Sequence, residues 1–252
     1  MLRSPLLDPT APLEDALSPP GGHPTALPLV HQLAESLGRA IDAKDGHTLA
    51  HSEEVAVIAQ ALAQSLGIPT QLADRIHVAG HLHDIGKIGV PDAILGKTGP
   101  LAPDEWTRMR AHPDLGADIL APLACLRDCG IVAMVRAHHE RYDGRGYPLG
   151  LAGRAIPLGA RIIAVADSLS AMLQSRPYRP ARSFATAAAE ITRNAGSQFD
   201  PEVVAAFTSI APQVRDMLLC LRGAPLPDDC GEGFAPTRDG RCSRRNSAHS
   251  YP

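Results

Sequence analysis

The sequence predicts an all-α fold, a helical bundle set between two tails. Three observations predict it. Apolar side chains recur at three- and four-residue spacing in several separate stretches. Prolines and capping residues open those stretches and glycines close them. No stretch alternates apolar and polar residues as a half-buried strand does, and no internal repeat is present.

Residues 1–28 are rich in Pro, Gly and Ser and have no hydrophobic period, which reads as a flexible arm. The bundle is expected over residues 29–221. Its first helix begins near Pro28, with Leu29, Leu33 and Leu37 on one face. A second covers about residues 50–66, where Val55, Ile58, Leu62 and Leu66 fall at helical spacing before Gly67 and Pro69. A third spans about residues 71–83, with Leu72, Ile76, Ala79 and His83 along one stripe, and Gly86 and Gly89 then break into a loop. Pro103 is a first-turn proline, followed by Asp104 and Glu105 at the positive end of the helix dipole. Another helix starts near Pro113, and a further one is expected over about residues 126–140, where Ile131, Val135 and His138 share a face beside His139. Residues 141–156, rich in Gly, form a structured loop. Pro157 opens a helix to about residue 173 that places Ala160, Ala164 and Asp167 on one side. A helix over about residues 183–195 stops at Gly196. Asp200, Pro201 and Glu202 then supply a cap, a first-turn proline and a first-turn acid. Residues 222–252 turn to Pro, Gly, Arg and Ser and read as a second flexible tail.

The chain has 252 residues, 44% hydrophobic but only 4% aromatic, so its core must be built from Ala, Leu, Ile and Val. A net charge of −3 and the absence of a basic stripe argue against a partner of duplex nucleic acid. No apolar run approaches the ~18 residues that suggest a membrane span, and the proline-rich N-terminus lacks the apolar region of a secretory signal. Five cysteines in a histidine-rich chain read as reduced thiols of a cytoplasmic protein. Cys125 and Cys129 lie among apolar residues and read as core.

The chemistry is concentrated in His47, His51, His83, Asp84, His112, His138, His139 and Asp167. Imidazole and carboxylate together suit iron, manganese or zinc. Any one of these histidines alone reads equally well as a structural residue; the set does not. Adjacent helical side chains point ~100° apart, so His83 and Asp84 serve one site only where a helix ends or where two metals lie side by side. A carboxylate bridges two metals through its two oxygens, which makes Asp84 the bridge and His83 a terminal ligand, with His138 and His139 closing the cage. Two metals ~3.5–4 Å apart clamp both the attacking and the leaving oxygen of a phosphate ester, so the expected class is a metal-dependent hydrolase.

The segments HTLAHSEEV, HLHDIGKIGVPDAIL, RAHPDLGADIL, HHERYDGRGYP, IPLGARIIAVAD, RPYR and AGSQFDP occur in that order. The chain thereby resembles the HD-GYP domains of the HD phosphohydrolase superfamily over about residues 44–212. The resemblance implies a helical bundle of the HD phosphohydrolase type and a two- or three-metal centre, commonly iron or manganese. It further implies hydrolysis of the bacterial second messenger cyclic di-GMP to pGpG or GMP. By resemblance, His51, His83, Asp84 and Asp167 hold one metal, and Asp84 bridges to a second held by His112, His138 and His139. Lys87 stabilises charge on a phosphate oxygen, beside Asp84 in catalysis. Gly144, Gly146 and Tyr147 line the substrate pocket or meet a protein partner, and Arg176 and Arg179 contact phosphate or guanine. The chain departs from the family in three places. His47 replaces a Glu that binds a third metal in some members, so it either ligates a weak third metal or hydrogen-bonds a ligand. Glu54 stands where Arg is frequent, a charge reversal, and Ser170 where Asp is usual. The rival functions are hydrolysis of another cyclic dinucleotide or nucleotide, and a nucleotide-sensing or partner-binding module with little turnover.

Overall fold

Proline, capping and apolar spacing set the helix boundaries. In the computed structural model, which describes residues 26–46, 50–175, 180–223, 226, 234–236 and 242–244, the helices follow one another along the chain. They are α1 (Ala26–Asp45), α2 (His51–Ser65) and α3 (Thr70–Leu82), then a 3-10 turn (Ile85–Gly89). Next come α4 (Asp92–Leu95), α5 (Pro103–Met109), α6 (His112–Leu120), α7 (Ala124–Arg127) and α8 (Ile131–Ala137). A second 3-10 turn (Gly153–Ala155) precedes α9 (Leu158–Met172), α10 (Phe184–Arg193) and α11 (Pro201–Arg222). Asp200 caps α11 as the sequence implies, accepting from the Glu202 amide at 2.8 Å with Pro201 in the first turn; Ser183, expected inside its helix, instead caps α10 by accepting from the Thr186 amide at 3.1 Å.

Helix α2 runs through the middle of the bundle, packed against α1, α3, α9 and α11. Val55, Ile58 and Leu62 from α2 meet Ile76 and Ala79 from α3, Ile162, Val165 and Leu169 from α9, and Val203, Phe207 and Val214 from α11, all buried. Each fully buried Val, Leu or Ile contributes roughly 1.5–3 kcal/mol, so this aliphatic core carries the bundle with few aromatic rings.

The structure departs from expectation in several elements. The Leu29, Leu33 and Leu37 stripe of α1 faces outward, at 60, 56 and 44% exposure, while Ala34 and Ile41 enter the core. The helix expected over residues 126–140 is two short helices, because Gly130 between them takes φ +84°. Cys125 on α7 is correspondingly exposed rather than in the core. Residues after Asp84 form a 3-10 turn rather than an irregular loop, and α4 was not signalled by the hydrophobic period. Beyond α11, Phe234–Pro236 and Cys242–Arg244 pair as a short antiparallel ribbon where no strand was expected. Helix α11 is long and apolar enough, by length and composition, to cross a membrane, although Arg215 and Asp216 interrupt its apolar run. Its Val203, Val204, Phe207, Val214 and Leu218 are nevertheless buried in the bundle, and Arg222 at its end pairs with Glu54 of α2.

Candidate metal centre

Helix ends build the site. His51 is the first residue of α2 and His112 the first of α6; His83 caps the C-terminus of α3, His138 caps α8, and His139 follows it. Asp167 projects from the interior of α9. Because α3 ends at Leu82, His83 and Asp84 escape the divergence that a continuing helix would impose. Gly86 sets Asp84 against α6: a Cβ there would lie 1.9 Å from the His112 carbonyl oxygen and 2.4 Å from the Gly116 nitrogen, so only glycine permits this approach.

Seven candidate residues meet there in two groups: His51, His83 and Asp167, and Asp84, His112, His138 and His139, the donor atoms of each group lying within 4.8 Å of one another. Asp84 joins the groups. Its Oδ2 is 3.2 Å from His83 Nε2, and its Oδ1 is 3.2 Å from His112 Nε2 and 3.9 Å from His138 Nε2. Asp167 Oδ1 lies 3.3 Å from His51 Nε2 and 3.9 Å from His83 Nε2.

The imidazoles are oriented by what lies behind them. His83 Nδ1 lies 2.7 Å from the Gly80 carbonyl, His112 Nδ1 2.8 Å from that of Met109, and His138 Nδ1 2.6 Å from that of Val135. A carbonyl only accepts, so each Nδ1 carries the proton and each Nε2, when neutral, aims a lone pair inward. Donating the outer N–H to a carbonyl in this way is how metal-bound histidines are held. His83 Nε2 makes no hydrogen bond although it is buried 3.2 Å from Asp84, the arrangement of donors that converge on a cation.

Electrostatics agree with this geometry. Burial opposes charge on Asp84, but Lys87 and His83 hold it well below the usual carboxylate range; burial likewise opposes charge on Asp167, which His51 and His83 hold low. Burial works against a charged His83 too, yet Asp84 and then Asp167 push it up to about 9. Burial and the neighbouring His139 keep His138 well below its ordinary range, and burial with His112 pushes His139 down to about 3. One buried and one half-buried anion with a cage of imidazole lone pairs are a donor set that fits divalent cations.

The surroundings explain two of the departures. Glu54 is buried and forms a two-pronged pair with Arg222, at 2.7 Å through Nε and 2.8 Å through Nη2, and the Ser170 hydroxyl donates to it at 2.6 Å. Ser170 Oγ is also 2.9 Å from His51 Nδ1. The charge reversal is thus answered by an arginine from the far end of α11, and Ser170 links Glu54 to His51. Nothing in the sequence pattern singled out Arg222. Lys87 Nζ lies 2.8 Å from Asp84 and 2.6 Å from Asp45 of α1, on a 3-10 turn rather than a continuing helix. In the loop, Gly144 takes φ +77°, and a Cβ on Gly146 would lie 2.3 Å from the Arg141 nitrogen. The Glu140 carboxylate accepts from the Leu149 and Leu151 amides at 2.6 and 3.1 Å and holds the loop closed. Tyr147 stacks on His139 with centroids 4.9 Å apart, and Arg110 covers its ring at 4.4 Å. His47, Arg176 and Arg179 lie outside the described residues.

The HD domain family model matches residues 35–203. The chain belongs to the HD domain family. With its sequence motifs in order, it falls in the HD-GYP branch. It is 43% identical over 169 residues to the cyclic di-GMP phosphodiesterase response regulator RpfG of Xanthomonas campestris pv. campestris, covering 67% of this chain and 44% of that protein. It is 42% identical over 176 residues to the 3'3'-cGAMP-specific phosphodiesterase 3 of Vibrio cholerae, covering 69% of this chain and 37% of that protein. The chain therefore spans less than half the length of these two relatives. The crystal structure of a cyclic GMP-AMP-specific phosphodiesterase of Vibrio cholerae shares the HD fold, with a TM-score of 0.59 and 17% identity over 78% of this chain and 54% of that one.

Proposed function

We propose that this HD-domain chain is a metal-dependent phosphodiesterase that hydrolyses cyclic di-GMP to pGpG or GMP in bacterial signal transduction. The observation that supports it most directly is Asp84, whose two oxygens face two separate histidine groups. In this reading His51, His83, Asp84 and Asp167 hold one divalent cation and Asp84, His112, His138 and His139 a second, iron or manganese. Such a pair supplies Lewis acidity toward phosphoryl oxygen and lowers the pKa of a water molecule. The chain's own groups bind and orient the substrate. Lys87, at the edge of the donor cluster, offers its ammonium to a phosphate oxygen. Tyr147, flanked by His139 and Arg110, gives a flat wall for a base, and Gly144 and Gly146 keep the loop thin enough for a dinucleotide to approach. Arg176 and Arg179 bind phosphate or guanine with their forked donors, and His47 serves a weak third cation or hydrogen-bonds a ligand. Leu149 and Arg145, exposed on the same loop, suit a protein partner. Free Cys125, Cys129 and Cys220 suit the reducing cytoplasm.

A second reading, hydrolysis of a mixed cyclic dinucleotide, draws on the 42% identical relative named for 3'3'-cGAMP. Protein loaded with Mn²⁺ or Fe²⁺ is incubated with each dinucleotide, and products are separated by chromatography. Conversion of cyclic di-GMP to pGpG or GMP is the expected result. Conversion of 3'3'-cGAMP alone would establish the second reading; binding of either without turnover would make the chain a sensing module.

A further inference from the structure

Three histidines outside the metal centre meet between α1 and α3. His31 comes from α1, and His77 and His81 lie one turn apart on α3. His81 is two residues from His83, yet the two belong to separate donor groups that share no residue. His77 and His81 are 8 and 2% exposed. The Nε2 atoms of His31 and His81 approach the same atom, His77 Nε2, at 2.7 and 3.2 Å. The three residues place one donor atom each within 4.8 Å of one another.

Hydrogen bonding cannot satisfy this arrangement. A neutral imidazole nitrogen either donates one proton or accepts on one in-plane lone pair. His77 Nε2 therefore serves one neighbour well and leaves the other facing it unpaired. A cation at the meeting point satisfies all three lone pairs together. A second observation points the same way. Glu53 on α2 has a buried Oε2 without a hydrogen-bond partner; burial and Glu35 push its carboxyl up, against Arg39 and then His31. Three convergent imidazoles with one position left open match the three-histidine set that holds Zn²⁺ tetrahedrally.

We propose that His31, His77 and His81 form a separate Zn²⁺ site, with Glu53 as the neighbouring carboxylate, that clasps α1 to α3. The clasp matters to the first cluster through the chain itself. Helix α3 runs directly into His83 and Asp84, and α1 ends at Asp45, which holds Lys87. The proposal does not depend on the phosphodiesterase reading.

The test uses the full chain stripped of metal and titrated with Co²⁺, whose absorption reports tetrahedral nitrogen ligation, and with Zn²⁺ read by thermal shift. Each is repeated in an Asp84→Asn/His138→Ala background that weakens the other cluster. His31→Ala should weaken the additional ion by at least ~100-fold, more than the loss of an outer hydrogen bond does, and should abolish its tetrahedral spectrum in both backgrounds. His31 is partly exposed, so its variants should keep the helical circular dichroism of the parent. His31→Cys, which restores a zinc ligand, should recover the Zn²⁺-induced thermal shift. Identical stoichiometry, spectra and thermal shifts in the parent and in His31→Ala would overturn the site, whether or not the protein hydrolyses any dinucleotide.

Discussion

Asp84 turns one oxygen toward His83 and the other toward His112 and His138. An amide keeps the shape but presents only one acceptor and no charge. Asp84→Asn should therefore lower metal content and reduce cyclic dinucleotide turnover by ~100-fold or more; full loading and activity would exclude a bridging role. The Glu54–Arg222 pair makes a second residue-scale case. Glu54 is 1% exposed, so truncating its partner strands a buried carboxylate. Arg222→Ala should cost about 3 kcal/mol in urea unfolding, with metal release at lower chelator concentration because Ser170 then loses the anchor that steadies His51. Glu54→Gln should cost less, since it retains an acceptor for Arg222. Glu54 and Ser170 were visible in the sequence as departures from a family pattern. Their compensation was not, because Arg222 lies 168 positions from Glu54 at the border of what reads as a tail, and local spacing carries no record of so distant a partner.

At the scale of elements, legibility followed the strength of the local signal. Helices α2, α3 and α9 combine a period with a start or stop residue, and their spans sit within a few positions of expectation; α11 starts at Pro201, where its cap signal placed it. Gly130 could be read as a helical residue, since helices tolerate glycine at modest cost; only packing decided that it would turn left-handed and divide the helix. The face of α1 failed for a related reason. Leucines at 29, 33 and 37 form as good a stripe as Val30, Ala34 and Ile41, and the period alone does not say which one a neighbouring helix covers. His77 and His81 stand one turn apart on α3 but were not singled out in the sequence, and their partner His31 comes from another helix. Where elements touch most closely, the 3-10 turn meets α6 through Gly86. Gly86→Ala should force the two apart, at about 1–3 kcal/mol, and lower metal occupancy by separating Asp84 from His112. An unfolding midpoint and metal content equal to the parent's would show that this contact does not position Asp84.

Over the whole molecule, the buried ionisable groups make stability depend on pH and on metal together. In the metal-free chain the charges of Asp84 and Asp167 outweigh burial and raise His83 from 6.5 to about 9. Its contribution to stability is therefore complete below pH 6.5 and is lost as pH rises through 9. His139 has the opposite sign: burial and His112 lower it from 6.5 to about 3, so unfolding takes up a proton and stability falls as pH drops from 6.5 toward 3. These two groups together give the metal-free protein a maximum near pH 6.5. The alkaline limb is on the order of 3 kcal/mol, which for a chain of this size is roughly 6–12 °C in Tm. Cations bound through His83 need its Nε2 without a proton and release that proton on binding. Mn²⁺-loaded protein should then hold its Tm between pH 6.5 and 9 while chelator-treated protein loses it. Parallel Tm profiles with and without Mn²⁺ across that interval would mean that His83 keeps its proton when metal is bound, and would remove it from the proposed ligand set.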